Sequence, residues 1–389
     1  MPSRHERTFF ERRRSWSEIK HQLLGYYLVP WSAKVGSTHP CIYVVDPFAG
    51  AGYYGRPPDQ VEGSPVIAVR RAEAYETAHP GERMEVICVE HNDRHFASLV
   101  EAVGGSPAKP LLLHGDFADN VAAISARMGQ APALILLDPI GLTAISPDTC
   151  RELLTRRGPT DLFIIVHFAV AFRIGGMLTD RLEPRADLSR ALALTEAMDR
   201  FFGSHEWRAI ARAKERPVDD RSRELVQVYA RHALQGRYPY VSAYAVRDHV
   251  EGRTKYWIVH ASGHPAGFRL VNDALVHVDR DLARRSYPVP QGDYLPGLAP
   301  ADPVQLRIAD VERSVCARVQ QLLTERGGSL PFGRIEALLS KEFFGQVKMG
   351  DYARLVKALA SDRKIARQNQ RASAALGRDE RITLVAPSQ

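Results

Sequence analysis

From residue 41 onward, short continuous apolar runs alternate with stretches in which apolar side chains recur every three or four positions. The runs lie at 42–46, 84–90, 110–114, 133–138 and 161–168. They are largely continuous rather than alternating, and those at 42–46, 84–90 and 161–168 are rich in β-branched residues, as strands buried on both faces are. Ser64-Pro65 precedes a helical pattern over 66–75, and Asp93, Asp116 and Ser146-Pro147 stand where later helices would open. This alternation predicts an α/β fold, a mainly parallel sheet with helices on its faces. A helical, charged stretch over 188–234 follows, then two more strand-like runs at 240–247 and 255–261. The short turn at Gly252 makes those two an antiparallel hairpin.

Beyond residue 288 the pattern changes. Repeated Pro and Gly over 288–303 predict a linker, and Leu306, Val311, Val315, Val319, Leu322 and Leu323 then recur at helical spacing up to Gly327-Gly328. Amphipathic helices follow at 335–343 and 352–359, with strand-like runs at 364–368 and 381–385. Three helices and a terminal hairpin predict a winged-helix-like domain at 304–389. The remaining divisions expected are an N-terminal helical arm at 1–40 and a Rossmann-like domain at 41–287, with a helical insertion at about 172–238.

Composition narrows the classes. A 389-residue chain that is 45% hydrophobic can bury two cores, while its longest apolar runs are far too short to span a bilayer. No membrane association and a cytoplasmic location are expected. Cys41, Cys88, Cys150 and Cys316 are widely spaced, so neither a metal site nor a disulfide framework is indicated. The net charge of +7 favours a polyanionic partner mildly. Lys348, Arg354, Lys357, Arg363, Lys364, Arg367 and Arg371 cluster over the last helix and wing of the C-terminal domain. They are candidates for DNA or RNA phosphates, or simply solvated.

The most informative segment is 42–55, IYVVDPFAGAGYYG. Gly50, Gly52 and Gly55 satisfy the dinucleotide glycine pattern, but Arg56-Pro57-Pro58 follows where a phosphate-binding helix should start. Asp46, closing the first run, also repels a pyrophosphate. It suits the cationic amino group of S-adenosylmethionine, with Phe48, Gly50 and Gly52 letting the chain pass close to the ligand. Glu90 closes the second run and is placed for ribose hydroxyls. Asp116 and Phe117, after the third, are placed for the adenine amino group and ring. Taken singly, Asp116 is equally a helix N-cap and Glu90 a solvated strand end. A nicotinamide oxidoreductase rests on the glycine pattern alone.

The fourth run ends LILLDPIG. In methyltransferases acting on amino groups of bases, an Asp or Asn followed by two prolines and an aromatic holds the target amine at this point. Asp138 and Pro139 fit that role, while Ile140-Gly141 replace the second proline and the aromatic. His167, after the fifth run, is a candidate general base or a structural histidine, and His260 a weaker one.

In order, WSEIKHQLLGYYL, IYVVDPFAGAG, GSPVIAV, VICVEHN, HGDF, LILLDPIG and KYWIVHASGHPAGFRLV resemble the three-Cys-motif partner proteins, a bacterial methyltransferase-like family, over the first two-thirds of the chain. The resemblance implies a class I methyltransferase fold and pairing with a separate three-cysteine protein. The segment DPIG departs from the family's DPFG at the aromatic. Two functions follow as expectations: methyl transfer from S-adenosylmethionine, with a nucleic-acid acceptor favoured, or a non-catalytic assembly partner that keeps the fold.

Overall fold

Cys41–Asp46 forms strand β1, and Val44 and Val45 are both fully buried although they point to opposite faces. That double burial places β1 at the centre of the sheet, where it pairs in parallel with Arg83–Glu90 (β4) and Ala133–Leu137 (β6). Leu111–His114 (β5) extends the sheet beyond β4 and Thr160–Val166 (β7) beyond β6, again in parallel. Tyr256–Ser262 (β9) lies antiparallel against β7, and Tyr240–Val246 (β8) completes the edge against β9. Tyr53–Tyr54 (β2) and Val61–Glu62 (β3) pair separately in the loop after β1. The order β5-β4-β1-β6-β7-β9-β8 is that of the Rossmann-like class I methyltransferase sheet, in which the last strand inserts antiparallel beside the fifth. The computed structural model describes residues 17–139, 153–177, 185–288, 301–368 and 375–385, apart from positions 56, 57, 59 and 154.

The helices follow the capping chemistry with small shifts. Ser64–Ala78 (α2) is capped at Gly63 with Pro65 in its first turn. The cap of Asp93–Val103 (α3) is Asn92, one residue earlier than expected, its side chain accepting from the Arg94 and His95 N–H groups. Asn accepts as well as Asp at that position. Phe117–Met128 (α4) starts after Asp116. Between β7 and β8 the described residues form helices: Ala169–Met177 (α5), Arg185–Phe202 (α6), Glu206–Arg212 (α7) and Val218–Tyr229 (α8), the last running into a π turn at Ala230–Leu234. Phe201 stacks on Tyr229 at 4.5 Å and Phe202 on Trp207 at 5.7 Å, so these helices share the core of the sheet's face.

Ser17–Gly36 (α1), in the expected N-terminal arm, packs on α2 and β1, apart from the core that the insertion helices share. Ile19, Leu23, Leu24, Tyr27, Leu28 and Trp31 are all buried. The Tyr27 hydroxyl donates to Asp161 of β7 at 2.6 Å and lies 3.3 Å from His260 Nε2 of β9.

The chain divides into two compact units, Met1–Phe268 and Arg269–Gln389, and the division falls in the first turn of Pro265–Ser286 (α9). In the second unit, Pro303–Glu325 (α10), Phe332–Glu342 (α11) and Met349–Ser361 (α12) enclose one core around Val319, Ile335 and Tyr352. Ile365–Arg367 (β11) and Arg381–Leu384 (β12) pair as expected, and a third strand, Ser329–Pro331 (β10), joins them in the order β10-β12-β11. Three residues ending in proline carry no readable alternation, which is why the pattern does not reveal β10. Asn272 of α9 ties into this unit, accepting from Gly345 N–H at 2.9 Å and donating to Val347 carbonyl at 2.8 Å. Among the described residues no helix is long and apolar enough to cross a membrane, and no cluster of His, Cys, Asp and Glu could hold a metal ion.

Candidate functional site

Parallel register brings the C-terminal ends of β1, β4, β5 and β6 to one edge, where open α/β sheets bind ligands. Asp46 pairs with Cys88 across β1 and β4, and Glu90 with His114 across β4 and β5. Three acidic side chains therefore meet at this edge: Asp46, Glu90 and Asp138, the last just beyond β6.

Asp46 is 1% exposed. Its Oδ1 accepts from Phe48 N–H at 3.2 Å; its Oδ2 is buried and no donor meets it at full hydrogen-bond geometry, although the Ser64 hydroxyl stands beside the carboxyl. Burial lifts the carboxyl to about 6; the Ser64 hydroxyl and Phe48 N–H oppose that, Asp138 adds to it and Lys20 subtracts. A buried acceptor left over in this way is costly unless something donates to it. Asp46 thus sits behind the loop rather than on an open surface, and its free oxygen is the group a cation would satisfy.

Glu90, also buried, accepts from Gly50 N–H at 2.8 Å through Oε2 and from Asn92 N–H at 2.7 Å through Oε1. One carboxylate thereby pins the glycine loop and the start of α3, and each oxygen keeps a second lone pair. Gly50 and Gly52 both have positive φ, 67° and 86°. At Gly52 a Cβ would stand 2.7 Å from the Ala102 Cβ, so glycine is required there for the loop to lie on α3. Asp116 occupies the N-cap position of α4, yet its side chain makes no capping bond and is exposed. Phe117 is buried and meets the half-buried Phe48 edge-on at 5.5 Å. Phe48 and Phe117 thus form one aromatic wall beside the loop.

The motifs do not single out the residue that dominates the other end of the edge. Lys20, from α1, forms an ion pair with Asp138. Burial works against its charge, but Asp138, with Tyr54 and Tyr256 nearby, holds the ammonium well above the usual lysine range. Pro139, the next residue, is buried. A cavity of about 30 Å3 lies alongside, lined by Leu23 and Leu24 of α1, Ser64 of α2, and Leu136 and Phe163 of the sheet. The sequence signal was a cation within an apolar stripe: Lys20 shares a helical face with Leu23, Leu24 and Tyr27. His167 faces the same groups; burial lowers its pKa, Asp138 raises it and Lys20 lowers it. Its ring lies 5.1 Å from that of Tyr256. His260 is buried against Tyr27 and Phe163, which is a structural position. Ile140, Gly141, Ser146, Cys150, Arg371 and residues 12–14 lie outside the described residues.

In the C-terminal unit, ion pairs claim several of the expected phosphate contacts. Arg354 donates to Glu312 and Asp351. Arg367 is buried in a bidentate pair with Glu380, at 2.9 and 3.2 Å, and Lys364 faces Asp362 at 3.8 Å.

No family model matches the sequence, and no curated protein matches it. Among solved structures, the chain is similar to protein LPL1258 of Legionella pneumophila, at 12% identity over 67% of this chain and 91% of that one, with a TM-score of 0.36. It is similar to a putative O-methyltransferase of Klebsiella pneumoniae, at 12% identity over 66% and 94%, TM-score 0.31. Human methyltransferase-like protein 13, solved with S-adenosylhomocysteine, gives 11% identity over 72% and 97%, TM-score 0.33. The fold assignment rests on the strand order and directions of this chain, not on these likenesses.

Proposed function

We propose that this chain binds S-adenosylmethionine at the ends of β1, β4 and β5, and acts as a methyltransferase on an amino group presented beside Asp138, with a nucleic acid as the favoured acceptor. The observation that carries the reading is the buried Asp46 Oδ2 without a partner, at the strand end where open α/β sheets bind ligands. A cationic amino group supplies the missing donor and keeps the carboxylate ionised. Glu90 offers its remaining lone pairs to ribose hydroxyls. The exposed Asp116 carboxylate offers an acceptor to the adenine amino group, beside the Phe48 and Phe117 wall. The cofactor supplies an activated methyl group. What the protein must add is alignment of the acceptor nitrogen and an acceptor for its N–H, and Asp138 is the group at hand.

Calorimetric titration of the full chain with S-adenosylmethionine, S-adenosylhomocysteine and nicotinamide cofactors tests the binding half. Binding of the first two that is lost in Asp46→Ala supports the reading, and binding of neither sinks it. Transfer of labelled methyl to total RNA, DNA or protein tests the catalytic half, and incorporation that survives Asp138→Ala refutes the role given to that residue.

A second reading is favoured by the Lys20–Asp138 ion pair, which leaves the acceptor carboxylate engaged by the protein itself. Under it the chain is an assembly partner of a separate three-cysteine protein, as its resemblance to the three-Cys-motif partner proteins implies. Co-purification of such a protein, together with an absence of methyl transfer, is the outcome that would select it. The C-terminal unit, read as a winged helix, keeps Lys357 and Arg363 for phosphate contacts beside the cations already paired. Binding of the full chain to duplex DNA that weakens steeply with salt, and weakens again in Lys357→Ala/Arg363→Ala, would support that role.

A further inference from the structure

We infer that the Lys20 ammonium is an intramolecular occupant of the acceptor position, holding Asp138 as the amino group of an incoming acceptor would, so that α1 must yield this contact before an amine-bearing acceptor binds. The inference rests on the methyltransferase reading and names the chemistry and regulation of its acceptor side.

Three observations carry it. First, α1 does not need the ion pair to stay docked. Six buried apolar side chains and the Tyr27–Asp161 hydrogen bond anchor it, whereas an incompletely buried ion pair contributes little net stability. Second, the pair sits at the ligand edge of the sheet and is not sealed. Lys20 and Asp138 retain 16% and 27% exposure, while Asp46 on the same edge is buried. Third, the lysine has room to leave. A cavity of about 30 Å3, lined mostly by apolar side chains, lies beside its stem, and that long stem permits the ammonium to swing out to the solvent that already reaches it.

The test uses the full-length chain saturated with S-adenosylhomocysteine, titrated with propylammonium chloride and followed by ligand-observed NMR. Lys20→Met keeps the stem and removes the charge, so it should bind the probe at least about tenfold more tightly than wild type, the size of one charge-assisted hydrogen bond. Lys20→Arg should stay closed, and adding Asp138→Asn to Lys20→Met should abolish the gain. Tetramethylammonium, which has no N–H to donate, should not bind. Equal probe affinity in wild type and Lys20→Met, or a gain that survives Asp138→Asn, would overturn the inference.

S-adenosylhomocysteine affinity is measured on the same samples at about pH 8, where Asp46 is ionised with or without Lys20, and should not change in Lys20→Met. Its absence in wild type sinks the cofactor reading, while the propylammonium titration still reports on Asp138. If Lys20→Met does not fold, wild type carries the test by zero-length coupling. A carbodiimide takes up one water as it joins Lys20 Nζ to Asp138 as an amide, and peptide mass analysis shows the link. Excess trimethylammonium, which has an N–H to donate but cannot be coupled to a carboxyl as an amide, should suppress that link, and coupling that is indifferent to this probe overturns the inference.

Discussion

The two ends of the ligand edge handle a carboxylate in opposite ways. At β1, Asp46 is buried with one oxygen unsatisfied. At β6, Asp138 is partly exposed and already satisfied by a lysine from α1. Both are aspartates at the end of a central strand, each followed by proline. What differs is the element laid over them. Above β1 the glycine loop brings backbone N–H groups and no cation; above β6 an apolar helix brings one cation on its buried face. The same residue type is therefore left with an unpaired buried oxygen in one place and is ion-paired in the other.

The sharpest way to break the comparison is through pH. Asp46, raised from 3.8 to about 6, favours its protonated form in the fold. Its contribution is fully present below pH 4 and lost as pH rises through 6, a difference of about 3 kcal/mol. His260, on the α1 side, is lowered to about 4 by burial, against Asp161. Its contribution is fully present above pH 6.5 and lost as pH falls through 4, again about 3 kcal/mol. Between pH 6.5 and 4 the two slopes oppose. Urea midpoints should therefore show Asp46→Asn more stable than wild type at pH 7 and equal to it at pH 4. His260→Gln should gain relative to wild type only on acidification. A gap between Asp46→Asn and wild type that does not vary with pH would show that the carboxylate is not the titrating group.

Gly52→Ala should be the next largest effect. It places a Cβ against Ala102 at a φ of +86°, so a loss of about 2 kcal/mol in chemical denaturation is expected, from overpacking and backbone strain together. Asp46→Asn should weaken S-adenosylmethionine binding by about 30-fold, the scale of a hydrogen bond to a charged group, even as it stabilises the free protein at neutral pH. Wild-type affinity should also fall as pH drops below 6. Tyr27→Phe removes the hydroxyl between Asp161 and His260 and should cost about 1 kcal/mol, with no change in cofactor affinity. A change in affinity there would mean that α1 and the glycine loop are not separate.

The local pattern was sufficient for the strands, because residues buried on both faces must be apolar at every position. That requirement is visible in 42–45 and 133–137 without any knowledge of neighbours. The glycine loop and the strand-end acids Asp46, Glu90 and Asp138 were legible for the same reason: charge at the end of an apolar run is unusual locally. The short strand β10 and the Asn92 cap were not, since three residues carry no period and two adjacent polar residues compete for one cap. What each carboxylate meets was decided only by packing. Lys20 lies 118 positions from Asp138, and Gly52 needs to be glycine because α3 returns beside it. Such long-range pairings depend on which helix covers which strand end, and hydrophobic period specifies that a face is buried without specifying against what.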